Sequence, residues 1–243
     1  MKIPTPSFLR RGVAAFLLAI AGASLAALPA PAAAAVAVSQ HGPLADFHGT
    51  PVSDGVREIA NWAFYTRDNQ GRAVVILDKH AATVYTFAPT GRLVASAPVL
   101  LGLTVGDDTA PGVGDKPLDQ VRDEEKTTPA GRFEAKLGED DSGVDVVWLD
   151  YDAAVAMHRV IDKVRAERRP ERLASPLASD RRISFGCINL PIPFYEQVLS
   201  PTVRQTGAVV YVLPETKTPR EVFGSWDVTK PAPMRTAAAV AGS

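Results

Sequence analysis

From residue 72 onward the apolar residues come in short runs separated by turn residues: Ala73 to Leu77, Thr83 to Phe87, Leu93 to Leu101, Val144 to Leu149 and Ala208 to Leu213. Short runs rich in Val, Ile, Tyr and Phe, broken by signals such as Asp68-Asn69-Gln70-Gly71 and Pro89-Thr90-Gly91, predict strands. Thr128 to Ala135 and Ala153 to His158 read as further strands. The early strands follow one another as a meander, not as βαβ units. A different period marks the N-terminal side: Val56, Ile59, Ala60 and Ala63 share one face of a helix that Ser53 or Asp54 can cap and that runs to about Tyr65. Pro193 to Val203 predicts a second helix. The pattern is mainly β, with a few helices, and no internal repeat interrupts it.

Three stretches lack this periodicity. Residues 38–50 read as a linker, which with the short helix occupies 38–71. Gly102 to Thr127 is rich in Gly, Asp and Pro, and a loop of that length inside a domain is usually functional or mobile. Residues 159–183 form a basic, partly helical insertion interrupted by Pro170 and Pro176, carrying Arg159, Lys163, Arg165, Arg168, Arg169, Arg172, Arg181 and Arg182. Such a run reads either as a solvated helix face or as a lid that meets anionic polymer. The tail, 215–243, is expected to be largely disordered from about Ser225.

The N-terminus changes the picture. Lys2, Arg10 and Arg11 precede an almost wholly apolar Gly12 to Leu28, and Ala33-Ala34-Ala35 and Ala35-Val36-Ala37 offer small-x-small cleavage sites. Residues 1–37 therefore read as a secretory signal, with the mature chain exported to the periplasm or cell envelope. Without those three basic residues the chain carries 23 basic against 27 acidic groups, a net charge of −4 that gives nucleic-acid binding no support. No second apolar run approaches membrane length, so no stable span is expected after cleavage.

Export also makes the single cysteine conspicuous. Cys187 lies in Ser184-Phe185-Gly186-Cys187-Ile188-Asn189 and has no second cysteine to pair with in its own chain. It is either a small buried hydrophobe or a thiol kept for chemistry. A nucleophilic thiol needs a base, a group that orients the base, and donors for an oxyanion. Of the four histidines, His41 and His48 fall in the linker where no scaffold is expected to hold them, and His80 falls in an exposed hairpin turn. His158, ending an apolar strand, is the base candidate. The Gly186 and Cys187 N–H groups are candidate oxyanion donors, and Ser184 and Asn189 can order substrate or backbone. One cysteine and one histidine fall short of a metal site. By residue type alone the segment fits a core-packed turn about as well as a nucleophile.

The ordered motifs Thr128-Pro129-Ala130-Gly131-Arg132-Phe133, a strand ending in His158, and Ser184-Phe185-Gly186-Cys187-Ile188-Asn189 resemble the L,D-transpeptidase catalytic domain (YkuD-like), over roughly residues 72–214. The resemblance implies a sandwich of two mixed β-sheets. It implies that Cys187 attacks a peptidoglycan stem peptide, that His158 is the base, that the Arg159 carbonyl orients it, and that no cofactor is needed. It leaves open a cross-linking transpeptidase, an L,D-carboxypeptidase or cross-link hydrolase, and a non-catalytic wall-binding module. The oligomeric state is not legible. This chain has Arg159 where the family has Gly, Phe185 where it has His, and a spacing of 29 positions from His158 to Cys187, more than is usual there.

Overall fold

A computed structural model describes residues 41–230. The expected export signal, 1–37, and the last part of the tail lie outside the described residues. The first helix, α1 (Asp54–Tyr65), begins where the pattern placed it: the Ser53 side chain accepts the Val56 N–H at 3.3 Å. It buries Val56, Ile59, Ala60 and Ala63.

The strands follow in chain order as β1 (Ala73–Asp78), β2 (Thr83–Phe87), β3 (Leu93–Pro98), β4 (Leu101–Gly102), β5 (Gly131–Glu134), β6 (Lys136–Glu139), β7 (Asp145–Asp150), β8 (Val155–Arg159), β9 (Arg182–Ser184), β10 (Ile188–Leu190) and β11 (Ala208–Val212). They make a five-stranded sheet ordered β3-β2-β1-β11-β5, a four-stranded sheet ordered β10-β8-β7-β6, and the small pair β4-β9. Both larger sheets are mixed, since β1 runs parallel to β11 and β10 parallel to β8 while their other neighbours are antiparallel. The helices α2 (Arg169–Ala174), α3 (Ile192–Phe194), α4 (Ser200–Thr206) and α5 (Pro219–Phe223) complete the list, with a π turn over Tyr195–Leu199 joining α3 to α4.

The five-stranded sheet is covered on both faces, which explains why β1 and β11 are buried at every position and almost wholly apolar. Val75, Leu77, Val210 and Val212 point into the main core, shared with Val147, Leu149, Val155, Met157, Ile188 and Leu190 of the second sheet. Val74, Ile76, Val209 and Tyr211 point the other way, against α1. The second sheet gives its other face to the candidate site.

Several expectations need correcting. The run Leu93 to Leu101 is not one strand: it leaves the first sheet after Pro98, and Leu100 exchanges backbone hydrogen bonds with Asn189 at 2.9 Å each way. Strand β6 was not anticipated, because it is mostly exposed and needs no apolar alternation. Residues 41–50 are not a free linker. Phe47 is buried edge-on to Phe87, and Asp46 and Leu93 are joined by a backbone hydrogen bond of 2.8 Å. His41 stacks on Tyr65 and His48 lies 3.5 Å from Asp46, so both are held, in an N-terminal segment separate from the cysteine turn. The tail is packed through its described part: a Thr218–Glu221 capping box starts α5, Trp226 meets Trp62 edge-on, and Ser225 donates to Glu58 at 2.7 Å. The loop after Gly102 is built from three short 3-10 turns rather than lacking structure.

Candidate active site

Strand alternation decides which β8 residues enter the site. Val155 and Met157 belong to the core, so Ala156 and His158 face the opposite side of the sheet. Strand β10 lies beside β8 in parallel register, with Asn189 paired to His158, while Ile188 and Leu190 fill the core. His158 and Asn189 are therefore neighbours on one face, and Cys187 stands two residues before Asn189, just ahead of β10. The His158 Nδ1–H donates to the Arg159 carbonyl oxygen at 2.8 Å. The Arg159 side chain turns away to the other face, where it pairs with Asp145 at 2.8 Å and Glu196 at 2.9 Å and lies over the Tyr195 ring. Arg159 occupies ordinary strand backbone, so a side chain is tolerated there.

The cysteine turn is built by side chains that close it from inside. Ser184 Oγ donates to the Cys187 carbonyl at 2.6 Å and accepts the Gly186 N–H at 3.2 Å. Both contacts make Ser184 a clamp of the turn. They also remove the Gly186 N–H from the expected oxyanion pair, since it is spent within the turn. Gly186 has φ +136°, and a Cβ there would lie 2.9 Å from the Thr127 carbonyl oxygen, so only glycine fits.

Thr128 opens the Thr128–Phe133 motif, and nothing in its residue type marks it as part of the site. Its hydroxyl donates to the Gly186 carbonyl at 2.7 Å and accepts the Gly102 N–H at 2.9 Å. In a trans peptide the carbonyl and the following N–H point in opposite directions. Holding the Gly186 carbonyl against Thr128 therefore turns the Cys187 N–H the other way, and among the described residues that N–H has no hydrogen-bond partner. It is the remaining candidate for the oxyanion-donor role. Phe185 lies under the Lys126 ammonium, 4.5 Å from its ring centre.

The thiol is partly exposed, with Sγ 3.4 Å from the Ala154 carbonyl. Among the described residues it makes no hydrogen bond to His158, whose Nε2 instead lies 3.3 Å from Asn189 Nδ2. Burial pushes the Cys187 pKa up, against opposing effects of a backbone hydrogen bond at Ala156 and the Arg169 charge. Burial pushes the His158 pKa down, helped by Arg169 and opposed by the Arg159 carbonyl and Asp140. Both shifts favour a neutral thiol beside a neutral imidazole at rest.

The basic insertion is divided: Lys163, Arg165 and Arg168 are exposed, while its other arginines are tied into the protein. Arg172 donates to the Glu167 carbonyl at 2.8 Å and the Asp180 carbonyl at 2.9 Å, Arg181 to Ser175 at 2.5 Å, and Arg182 to Glu215. Pro170 does not break the helix: it sits in the first turn of α2, where a missing N–H costs nothing. Arg169 reaches the site itself, donating to Asn189 Oδ1 at 2.5 Å. Nothing in the sequence singled it out among its basic neighbours.

No family model matches this chain, and neither does any curated protein. Among solved structures it is similar to the helical cell shape determining protein Pgp2 from Campylobacter jejuni, at 15% identity and TM-score 0.38, over 60% of this chain and 49% of that one. It is similar to the L,D-transpeptidase from Mycobacterium smegmatis, at 16% identity and TM-score 0.32, over 58% of each chain. The chain thus spans about half the length of the first of these structures (49%). A third similarity, at 18% identity and TM-score 0.32, covers 58% of this chain and 95% of the catalytic domain of the E. faecium L,D-transpeptidase.

Proposed function

We propose that this protein is an exported cysteine acyltransferase acting on peptidoglycan stem peptides, an L,D-transpeptidase that works through a Cys187 thioester. The observation that carries the reading is the arrangement on the open face of the second sheet. His158 and Asn189 are paired there, the Arg159 carbonyl holds Nδ1, and the unpartnered Cys187 N–H stands beside the thiol.

In this reading His158 Nε2 takes the thiol proton and Cys187 Sγ attacks the carbonyl between an L-centre and a D-residue. The Cys187 N–H stabilises the developing oxyanion, and the C–N bond breaks as the imidazolium returns its proton to the leaving D-amino acid. An entering amine then gives a proton to His158 and displaces the thiolate, closing the cross-link. Water in place of the amine makes the enzyme a carboxypeptidase or hydrolase. The thiol must first turn from the Ala154 carbonyl to His158, a tightening common when substrate binds.

One observation favours a non-catalytic wall-binding module instead: the thiol lies against Ala154 and not against the imidazole. Mass analysis of purified muropeptides incubated with wild type and Cys187→Ala separates these readings. Cross-linked dimers made only by wild type support the transpeptidase, trimmed tripeptides select the carboxypeptidase, and no change selects the binding module.

A further inference from the structure

Arg169 begins α2, inside the insertion, and its side chain is mostly buried between Glu167 and Asn189. Its Nε donates to the Glu167 carboxylate at 2.6 Å and its Nη1 to Asn189 at 2.5 Å. A guanidinium has donors and no acceptor, so the amide atom it meets is the oxygen. That fixes the other end of the Asn189 amide as the NH2 group, 3.3 Å from His158 Nε2 and 3.4 Å from the Cys187 carbonyl oxygen. Both amide hydrogens then have acceptors, and His158 Nε2 must be one of them. The ring's other nitrogen carries the proton, because Nδ1 faces the Arg159 carbonyl at 2.8 Å. Asn189 is fully buried and its backbone is bonded to Leu100 in both directions, so the side chain stays beside the ring and the Arg169 bond decides which way its amide faces.

We infer that Arg169 is a positioning residue that, through Asn189, holds His158 at rest in the Nδ1–H tautomer, its single Nε2 lone pair accepting the Asn189 amide N–H until the thiol turns toward it. The consequence for catalysis rests on the thiol–imidazole reading proposed above; the tautomer itself does not. The lock also opposes the protonated ring. An imidazolium would turn an Nε2–H toward an amide NH2 that Arg169 prevents from flipping. The charged and titratable groups around the ring are Arg169 from α2, Asp140 from the turn after β6, Arg159 on its own strand, and the Cys187 thiol. Burial and Arg169 keep the ring neutral, against the Arg159 carbonyl and Asp140.

The test is nitrogen-detected magnetic resonance of the His158 ring in the full chain, assigned by its loss in His158→Ala. Wild type is expected to show protonated Nδ1 and unprotonated Nε2 at neutral pH. In Arg169→Met the amide is free to flip, the Nε2–H form appears, and the titration midpoint of the ring rises. Arg169→Lys, which can still donate to Asn189 Oδ1, restores the wild-type ring. An unchanged ring in Arg169→Met overturns the inference, and so does a ring altered equally in Arg169→Lys, which reflects lost packing. Asn189→Asp offers only oxygens to Nε2 and keeps the test decisive if Arg169→Met does not fold: it is expected to protonate Nε2, and an unchanged ring overturns the inference. The muropeptide experiment can fail while this one succeeds, and the reverse, so the two readings fall separately.

Discussion

Two residues beside the thiol do their work through the backbone. Thr128 is buried and joins Gly102 to Gly186 through one hydroxyl, so Thr128→Val keeps the shape and removes both bonds. Leaving these buried groups unpaired is expected to cost about 2 kcal/mol. Because the same hydroxyl aims the Cys187 N–H, acylation of Cys187 by a thioester-forming substrate should slow well beyond what lost stability explains. Thermal denaturation and single-turnover acylation, measured side by side, check this. Loss of stability with an unchanged acylation rate would mean that Thr128 only packs. Gly186→Ala is expected to be worse, because its φ of +136° and the Thr127 carbonyl 2.9 Å from the added Cβ both resist a side chain. A cost of about 1–3 kcal/mol follows from forcing such backbone strain, readable as a lowered denaturation midpoint.

At the scale of elements, legibility followed burial. The helix α1 was plain because a Ser cap and a 3.6-residue apolar face agree, and β1, β2 and β11 because they are apolar runs of strand length bounded by turns. The candidate histidine was also legible: Val155, Met157 and the polar end of the run mark opposite faces of one strand. What was hidden depends on partners far away in sequence. The polar edge strand β6 and the packed tail pair with surfaces that no local pattern announces. The insertion was hidden for a related reason, since an arginine that bonds a carbonyl inside its own loop looks in sequence like one that faces solvent. Arg172 ties both ends of that loop, to Glu167 and Asp180, and Leu173 anchors it in the protein. Arg172→Met should loosen the loop without unfolding the sheets. Limited proteolysis is expected to nick Arg172→Met between residues 160 and 182 faster than wild type, while the global denaturation midpoint falls by only a few degrees, in line with about 1 kcal/mol. Equal nicking rates would show that α2 is held by packing alone.

Across the whole molecule, one buried ionic cluster joins parts that no single sheet connects. Lys79, after β1, is completely buried and pairs with Asp107 of the long loop at 2.9 Å and with Glu215 of the tail at 3.5 Å. It also donates to the Thr128 carbonyl at 2.9 Å, which ties the cluster to the residue that aims the cysteine turn. Arg182 of β9 completes it by pairing with Glu215. Burial alone would raise the Asp107 pKa, but bonds from the Thr216 hydroxyl, the Glu215 backbone, Lys79 and the Thr216 backbone together hold it well below its ordinary 3.8. The folded state therefore binds fewer protons at this group than the unfolded chain does. Its stabilisation is present at neutral pH and is lost as the pH falls below about 4 toward the depressed value. Wild type should lose denaturation midpoint steeply over that acid range, and Asp107→Asn, having no proton to gain, should lose less of it while starting lower at pH 7. Lys79→Met leaves buried Asp107 without its cation while Glu215 keeps Arg182, a change worth about 3–5 kcal/mol of destabilisation. If Asp107→Asn and wild type lose midpoint in parallel on acidification, Asp107 is not the group that carries the acid sensitivity. If they diverge, the closure of the long loop and the tail over the fold is tied to the charge state of this one carboxylate.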